Sequence, residues 1–133
     1  MSEAAVSTNI RFVHQPDFPI KEDHPLRDEF GLPGLAPHGS VILMFKVSGI
    51  DGSRLDIANK TAHATHALVP NPIKLDTTFA QPRAWFEVIA HDKFAEFGNN
   101  ITMKLADPVD GKEVTVSDVV IFYVTPTPEV PGA

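Results

Sequence analysis

The sequence predicts an all-β protein: a single antiparallel β-sandwich, jelly-roll or immunoglobulin-like, with about seven or eight strands and at most one short helix. Three observations carry that expectation. Apolar residues alternate with polar ones at period two through much of the chain, the period of a strand with one dry face. Turn-forming clusters recur roughly every ten residues, as they do between the short strands of a sandwich. Two runs, VILMFKVSG and VVIFYVT, are apolar almost throughout, the pattern of strands covered on both faces.

The elements follow in order. In VSTNIRFVH, Val6, Thr8, Ile10 and Phe12 alternate with Ser7, Asn9 and Arg11, which predicts a half-buried strand at a sheet edge. Residues 15–39 hold five prolines and three glycines, and such a segment sustains neither a helix nor a ladder for long. It is expected to be a long loop or arm. Its apolar members, Phe18, Ile20, Leu26, Phe30, Leu32 and Leu35, are too many for a solvated loop. They either close over the chain's own sandwich or form an assembly arm that packs on a neighbouring subunit.

VILMFKVSG is the next strand, GIDGS supplies the Asp-Gly chemistry of a tight turn, and RLDIA is the expected partner beyond it. KTAHATHALVP then places His63 and His66 three residues apart. On a helix that spacing would put both rings on one face, whereas on a strand it sends them to opposite faces. Leu55, Ile57, Leu68 and Val69 form no stripe of helical period, and Pro70 and Pro72 force an early end. The segment is expected to be extended, with a helix as the alternative.

In RAWFEVIAH, alternation sets Trp85, Glu87, Ile89 and His91 on one face and Phe86, Val88 and Ala90 on the other. HDKFAEFGN could form a helical turn or two, with Asp92 as N-cap and Gly98 at its end. NITMKLADPVDGKEVTVSD has the alternation of a hairpin, and VVIFYVT that of a central strand. Its turn carries only two acids, Asp107 and Asp110, short of the ligand set of a calcium loop. The domain is expected to span residues 1–125, with 126–133 a proline-rich tail.

Composition narrows the function. With 43% hydrophobic and 21% charged residues the chain is of ordinary globular type. A net charge of −6 with scattered basic residues disfavours nucleic acid as a partner. The absence of cysteine removes disulfides, thiolate metal sites and cysteine nucleophiles. MSEAAVSTNI lacks a basic segment followed by an apolar run, and no apolar stretch approaches the ~20 residues of a membrane span. A cytoplasmic, membrane-free protein is the expectation.

No Gly-x-Ser-x-Gly elbow, P-loop or zincin pattern occurs, so no catalytic residue is assigned and no cofactor is expected. The leading expectation is a non-catalytic module for partner binding or self-assembly, a homo-oligomer or a protein complex. One alternative is a metal-dependent enzyme in which His63, His66, His91 and Asp92 hold a divalent metal at one end of the sandwich. A second is a carbohydrate-binding module in which Trp85 stacks on a sugar, Glu87 accepts from its hydroxyls and His91 lies beside them.

Overall fold

The computed structural model describes residues 6–106 and 112–126, so the 107–111 turn and the 127–133 tail lie outside the described residues. Ten strands follow in chain order: β1 (Val6–His14), β2 (Phe18–Ile20), β3 (Leu26–Phe30), β4 (Ser40–Gly49), β5 (Arg54–Lys60), β6 (Thr65–Ala67), β7 (Ile73–Lys74), β8 (Arg83–Ala90), β9 (Asn99–Leu105) and β10 (Val114–Pro126). They form two antiparallel sheets. In sheet I the order is β1, β10, β4, β8, with β2 also paired to β10; in sheet II it is β3, β9, β5, β6, with β7 also paired to β5. The expected β-sandwich is the fold.

The core lies between the sheets. Val41, Leu43, Phe45 and Val47 of β4 and Val119, Ile121 and Tyr123 of β10 are buried in one cluster with Leu55 and Ile57 of β5 and Ile101 and Met103 of β9. In β10 the inward positions change parity, from Val114 and Val116 to Val119, Ile121 and Tyr123. A bulge makes this possible: the register shifts between Ser117 and Val120, and Asp118 takes φ of 50°. One extra residue moves the rest of the strand half a period, so both halves present valines and isoleucines to the core.

Pairing departs from local expectation at two turns. The tight turn after β4 forms, with Gly52 at φ of 86° and Ser53 N–H donating to Ile50 C=O. It does not close a hairpin, because β4 lies in sheet I and β5 in sheet II. Likewise β9 and β10 belong to opposite sheets, Leu105 pairing with Leu55 and Val114 with Ile20 and Gly49. Alternation fixes which face of a strand is dry, and neither hairpin partner is implied by it.

Residues 15–39 are not one loop, since they contribute β2 and β3. Pro19 is accommodated because β2 is a short strand on the outer side of β10, opposite Thr115, where a missing N–H costs no ladder bond. Among the described residues the only helical elements are two 3₁₀ turns, Thr77–Ala80 and His91–Lys93. The first is capped by Asp76; the second begins after Ala90, so Asp92 sits within it and is not its cap.

Asn99, fully buried, ties this end of the sandwich together. Its amide donates to Phe30 C=O and Ala95 C=O, and its oxygen accepts from Ala95 N–H and Asn59 Nδ2.

Candidate functional site

The residues singled out from sequence are distributed over several places. Ile20, Leu26, Phe30 and Leu32 are buried in the chain's own core, with Phe18 and Leu35 packed against it. The segment that follows β3 is docked by Leu32 N–H to Glu96 C=O, Ala36 N–H to Val124 C=O, and the Tyr123 hydroxyl to Pro33 C=O. The side chains considered for an assembly arm therefore close their own sandwich, and a surface for a neighbour has to be sought elsewhere.

Trp85 and Glu87 share a face, on the inward side at the open edge of sheet I. Trp85 is half-buried against the core, its Nε1 donates to Glu87 Oε1 at 2.9 Å, and its ring lies 6.0 Å from that of Phe79. Arg83 sits over the other aromatic, 5.4 Å from the Phe79 centroid, and donates to Thr78. Thr78 in turn donates to Asp76 through its hydroxyl and its amide, and these bonds hold the Asp76 carboxyl below its ordinary pKa. His91 is turned away from Trp85, with Nδ1 3.0 Å from Gly39 C=O.

KTAHATHALVP is a hairpin. Thr61 N–H donates to Ala64 C=O, His63 is exposed in the turn, and His66 lies on β6 opposite Asn59. The extended expectation describes this segment, and the turn resets the alternation between the two rings. His91 and Asp92 belong to the 3₁₀ turn that follows β8. Among the described residues no three His, Cys, Asp or Glu side chains are grouped so as to hold a metal ion. His14 meets Asp28 at 2.7 Å, joining the edges of the two sheets, and Phe18 stacks on His24.

The two surfaces that stand out are the outward faces of the sheets. On sheet I the registers align two continuous cross-strand rows: Phe12, Val120, Met44, Phe86, and Ile10, Phe122, Ile42, Val88. All eight are apolar, and Ile10, Phe12, Ile42, Phe86 and Val88 are 52%, 60%, 38%, 60% and 70% exposed. Ile10 and Phe12 of β1 therefore point to solvent, and the long apolar runs of β4 and β10, expected to be covered on both sides, have only one face in the core between the sheets. The reason is that β10 is apolar on both faces, and β1 aligns its own apolar residues with the second of them. Among the outward positions of these ladders Lys46 carries the one charge, and it pairs with Asp118 at 3.5 Å.

The outward face of sheet II is the opposite in character. Arg27, Thr102, Ala58 and Ala67 form one row and Glu29, Asn100, Lys60 and Thr65 another, with Lys104 opposite Asp56. The small alanines leave a trough of about 640 Å³ between the flanking polar side chains. Sequence reasoning missed both faces; the signal for the first was the pair of runs too apolar for a strand with one wet side.

These features belong to a jelly-roll β-sandwich, and comparison with solved structures agrees. The chain is similar to part of dimeric latent PorU from Porphyromonas gingivalis, at 7% identity and a TM-score of 0.56, covering 95% of this chain and only 13% of that one. It is similar to a CBM4 structure at 16% identity and TM-score 0.52, covering 93% and 78% of the two chains. It is similar also to the C-terminal CBM6 of LamC, a marine laminarinase from Zobellia galactanivorans, at 7% identity and TM-score 0.51, covering 88% and 99%. At such identities the likeness is one of fold. No protein-family model matches the chain, and no curated protein matches it in sequence. Among the described residues no helix is long and apolar enough to cross a membrane.

Proposed function

We propose that this protein is a non-catalytic β-sandwich module that self-associates through the outward face of sheet I, a second copy covering the first. The observation that carries the reading is the pair of uncharged rows running across four strands. A phenylalanine side chain presents about 200 Å², so Phe12 and Phe86, each 60% exposed, leave roughly 240 Å² in water. With Ile10, Ile42 and Val88 the apolar patch reaches roughly 500 Å², the size at which patches on monomers serve a contact. A dimer interface of standard size takes about 800 Å² from each partner, of which about 65% is apolar in homodimers. The patch supplies that apolar share.

A second copy fits better than a lipid surface. The chain carries a net charge of −6 and this face offers a single lysine already paired, so nothing on it attracts anionic headgroups. The one acid that reaches this face, Asp118, is paired with Lys46, so two copies meet here without bringing unpaired acids together, and face-to-face sheets pack about 10 Å apart with interdigitated side chains. Light scattering over a concentration series tests the reading. The expected mass is twice the 14.5 kDa of the chain, falling to one chain in Phe12→Lys/Val88→Lys; a monomer at every concentration overturns it.

A second reading concerns the other face. CBM4 and CBM6 domains share the fold, and the trough on sheet II, polar and unoccupied by any side chain, supports a carbohydrate as ligand. A glycan panel titrated calorimetrically tests it, and it fails if no sugar is bound.

A further inference from the structure

Resting on the reading of the sheet II trough as a carbohydrate site, we infer that the trough is selective for an extended anionic glycan, one bearing carboxylate or sulfate groups. Its charge is the first ground. Arg27, Lys60 and Lys104 line it against a single acid, Asp56, in a chain whose net charge is −6. Among the described residues none of the three cations makes an ion pair or hydrogen bond within the protein, although Lys104 stands opposite Asp56 in the ladder. A concentration of positive charge in an acidic protein draws anions locally while the remainder of the surface repels them.

The second ground is the hydrogen-bonding chemistry between the cations. Asn100, Thr102 and Thr65 line the same trough, and the Asn100 amide oxygen is buried without a hydrogen-bond partner. A buried acceptor left unmade costs free energy. Rotation about the terminal torsion of the amide, which is soft, offers it to a ligand hydroxyl. Alternating hydroxyls and anionic groups on one chain match alternating amide, hydroxyl and cationic side chains across the strands.

The third ground excludes two other ligands. No aromatic side chain lines the trough, so the stacking platform that holds neutral sugars is missing there. An acidic peptide binds a sheet by adding a strand to its edge, whereas this trough crosses the face, where the backbone groups are already paired in the ladders of β3, β9, β5 and β6. The trough runs across four strands spaced ~4.8 Å, about 14 Å in all, which suits a short oligosaccharide lying across them.

Isothermal titration of the full chain with an oligouronate, a sulfated glucan oligomer, the neutral glucan of equal length and poly-glutamate tests the inference. Binding of either anionic glycan, weakened at least ten-fold in Arg27→Ala/Lys60→Ala and abolished by Ala58→Tyr, is the expected result; which of the two binds identifies the anion. Equal or tighter binding of the neutral glucan overturns the anionic selectivity while leaving the carbohydrate reading in place. Binding of poly-glutamate as tightly as the glycans overturns it in favour of simple charge. Binding of none of the four overturns the inference and the carbohydrate reading together. Both cations are exposed and unpartnered, so circular dichroism of the double variant is expected to match the parent.

Discussion

Sheet I and sheet II are built from the same alternation and share one core, yet their outward faces are chemically opposite. Sheet I aligns eight apolar side chains in two outward rows, five of them exposed, with one paired lysine. Sheet II presents Arg27, Glu29, Asp56, Lys60 and Lys104 among threonine, asparagine and alanine. An antiparallel sheet with one solvated face reads apolar inside and polar outside, and only sheet II obeys. What a sheet turns away from its core is thus free of the fold's demands, and a departure from the polar pattern marks a surface with a task.

The largest effect is expected in the interior, beneath the faces and not on them. Asn99 is fully buried, and its two amide donors and its oxygen together serve Phe30, Ala95 and Asn59. Asn99→Ala leaves those groups unpaired in the interior, and by the cost of orphaned buried polar groups it should lower unfolding stability by about 3 kcal/mol or more. Urea denaturation measures it. A loss under about 1 kcal/mol would mean water replaces the amide freely and that β3, β5 and the segment after β8 depend less on this tie than the geometry indicates.

A change confined to one face should separate them. Phe86→Lys places a charge in the centre of the apolar rows but leaves the monomer core untouched, since Phe86 is 60% exposed. The dissociation constant of the dimer should rise at least 100-fold, about 3 kcal/mol, and the melting temperature should lose its dependence on concentration. Affinity of the trough for its ligand should not move. Lys60→Glu should do the reverse. If either variant alters both properties, the faces are coupled and the contrast between them is incomplete.

How far the sequence carried depends on which kind of information each feature needs. The longer strands β1, β4, β8, β9 and β10 and the Gly52 turn follow from local period and turn chemistry, and they were legible, whereas β2 and β3, with Ile20 and Leu26 in the chain's own core, lay inside a segment that reads as a loop or arm. Partners across strands were not: GIDGS and the connection after Leu105 look like hairpin turns, yet both join one sheet to the other. Nor was the trough, because Arg27, Lys60 and Lys104 come from three strands distant in sequence and meet only through the registers of β3, β9 and β5. The apolar face lay between these cases. The runs in β4 and β10 announced a second apolar face, while the expectation for Ile10 and Phe12 assigned their exposed side wrongly because period two fixes alternation and leaves its sense open.

Ionic strength distinguishes the faces without any substitution. Raising salt from about 0.01 M to about 0.1 M shortens the Debye length from ~30 Å to ~10 Å. Binding of an anion to exposed cations should weaken several-fold over that range, whereas the apolar contact should hold or tighten. Titrations at the two salt levels, one of ligand and one of dimer, check it; parallel weakening of both would show that charge also governs the sheet I contact.

The smallest effect is expected at Asp76, which belongs to neither face. Its carboxylate accepts from Thr78, and those hydrogen bonds lower its pKa. A group whose folded pKa is depressed stabilises the fold above its unfolded value, near 3.9, and the contribution disappears as pH falls through the lower folded value. Asp76→Asn should therefore be slightly less stable than the parent at neutral pH, and the difference should shrink as the solution is taken well below about pH 4. The carboxylate is fully exposed to solvent, so the gap should be small at every pH. Denaturation midpoints at neutral and acid pH check this, with dimer mass and ligand affinity unchanged throughout. A gap that widened in acid would mean the Asp76 carboxyl is held above its ordinary pKa, contrary to the two hydrogen bonds it accepts.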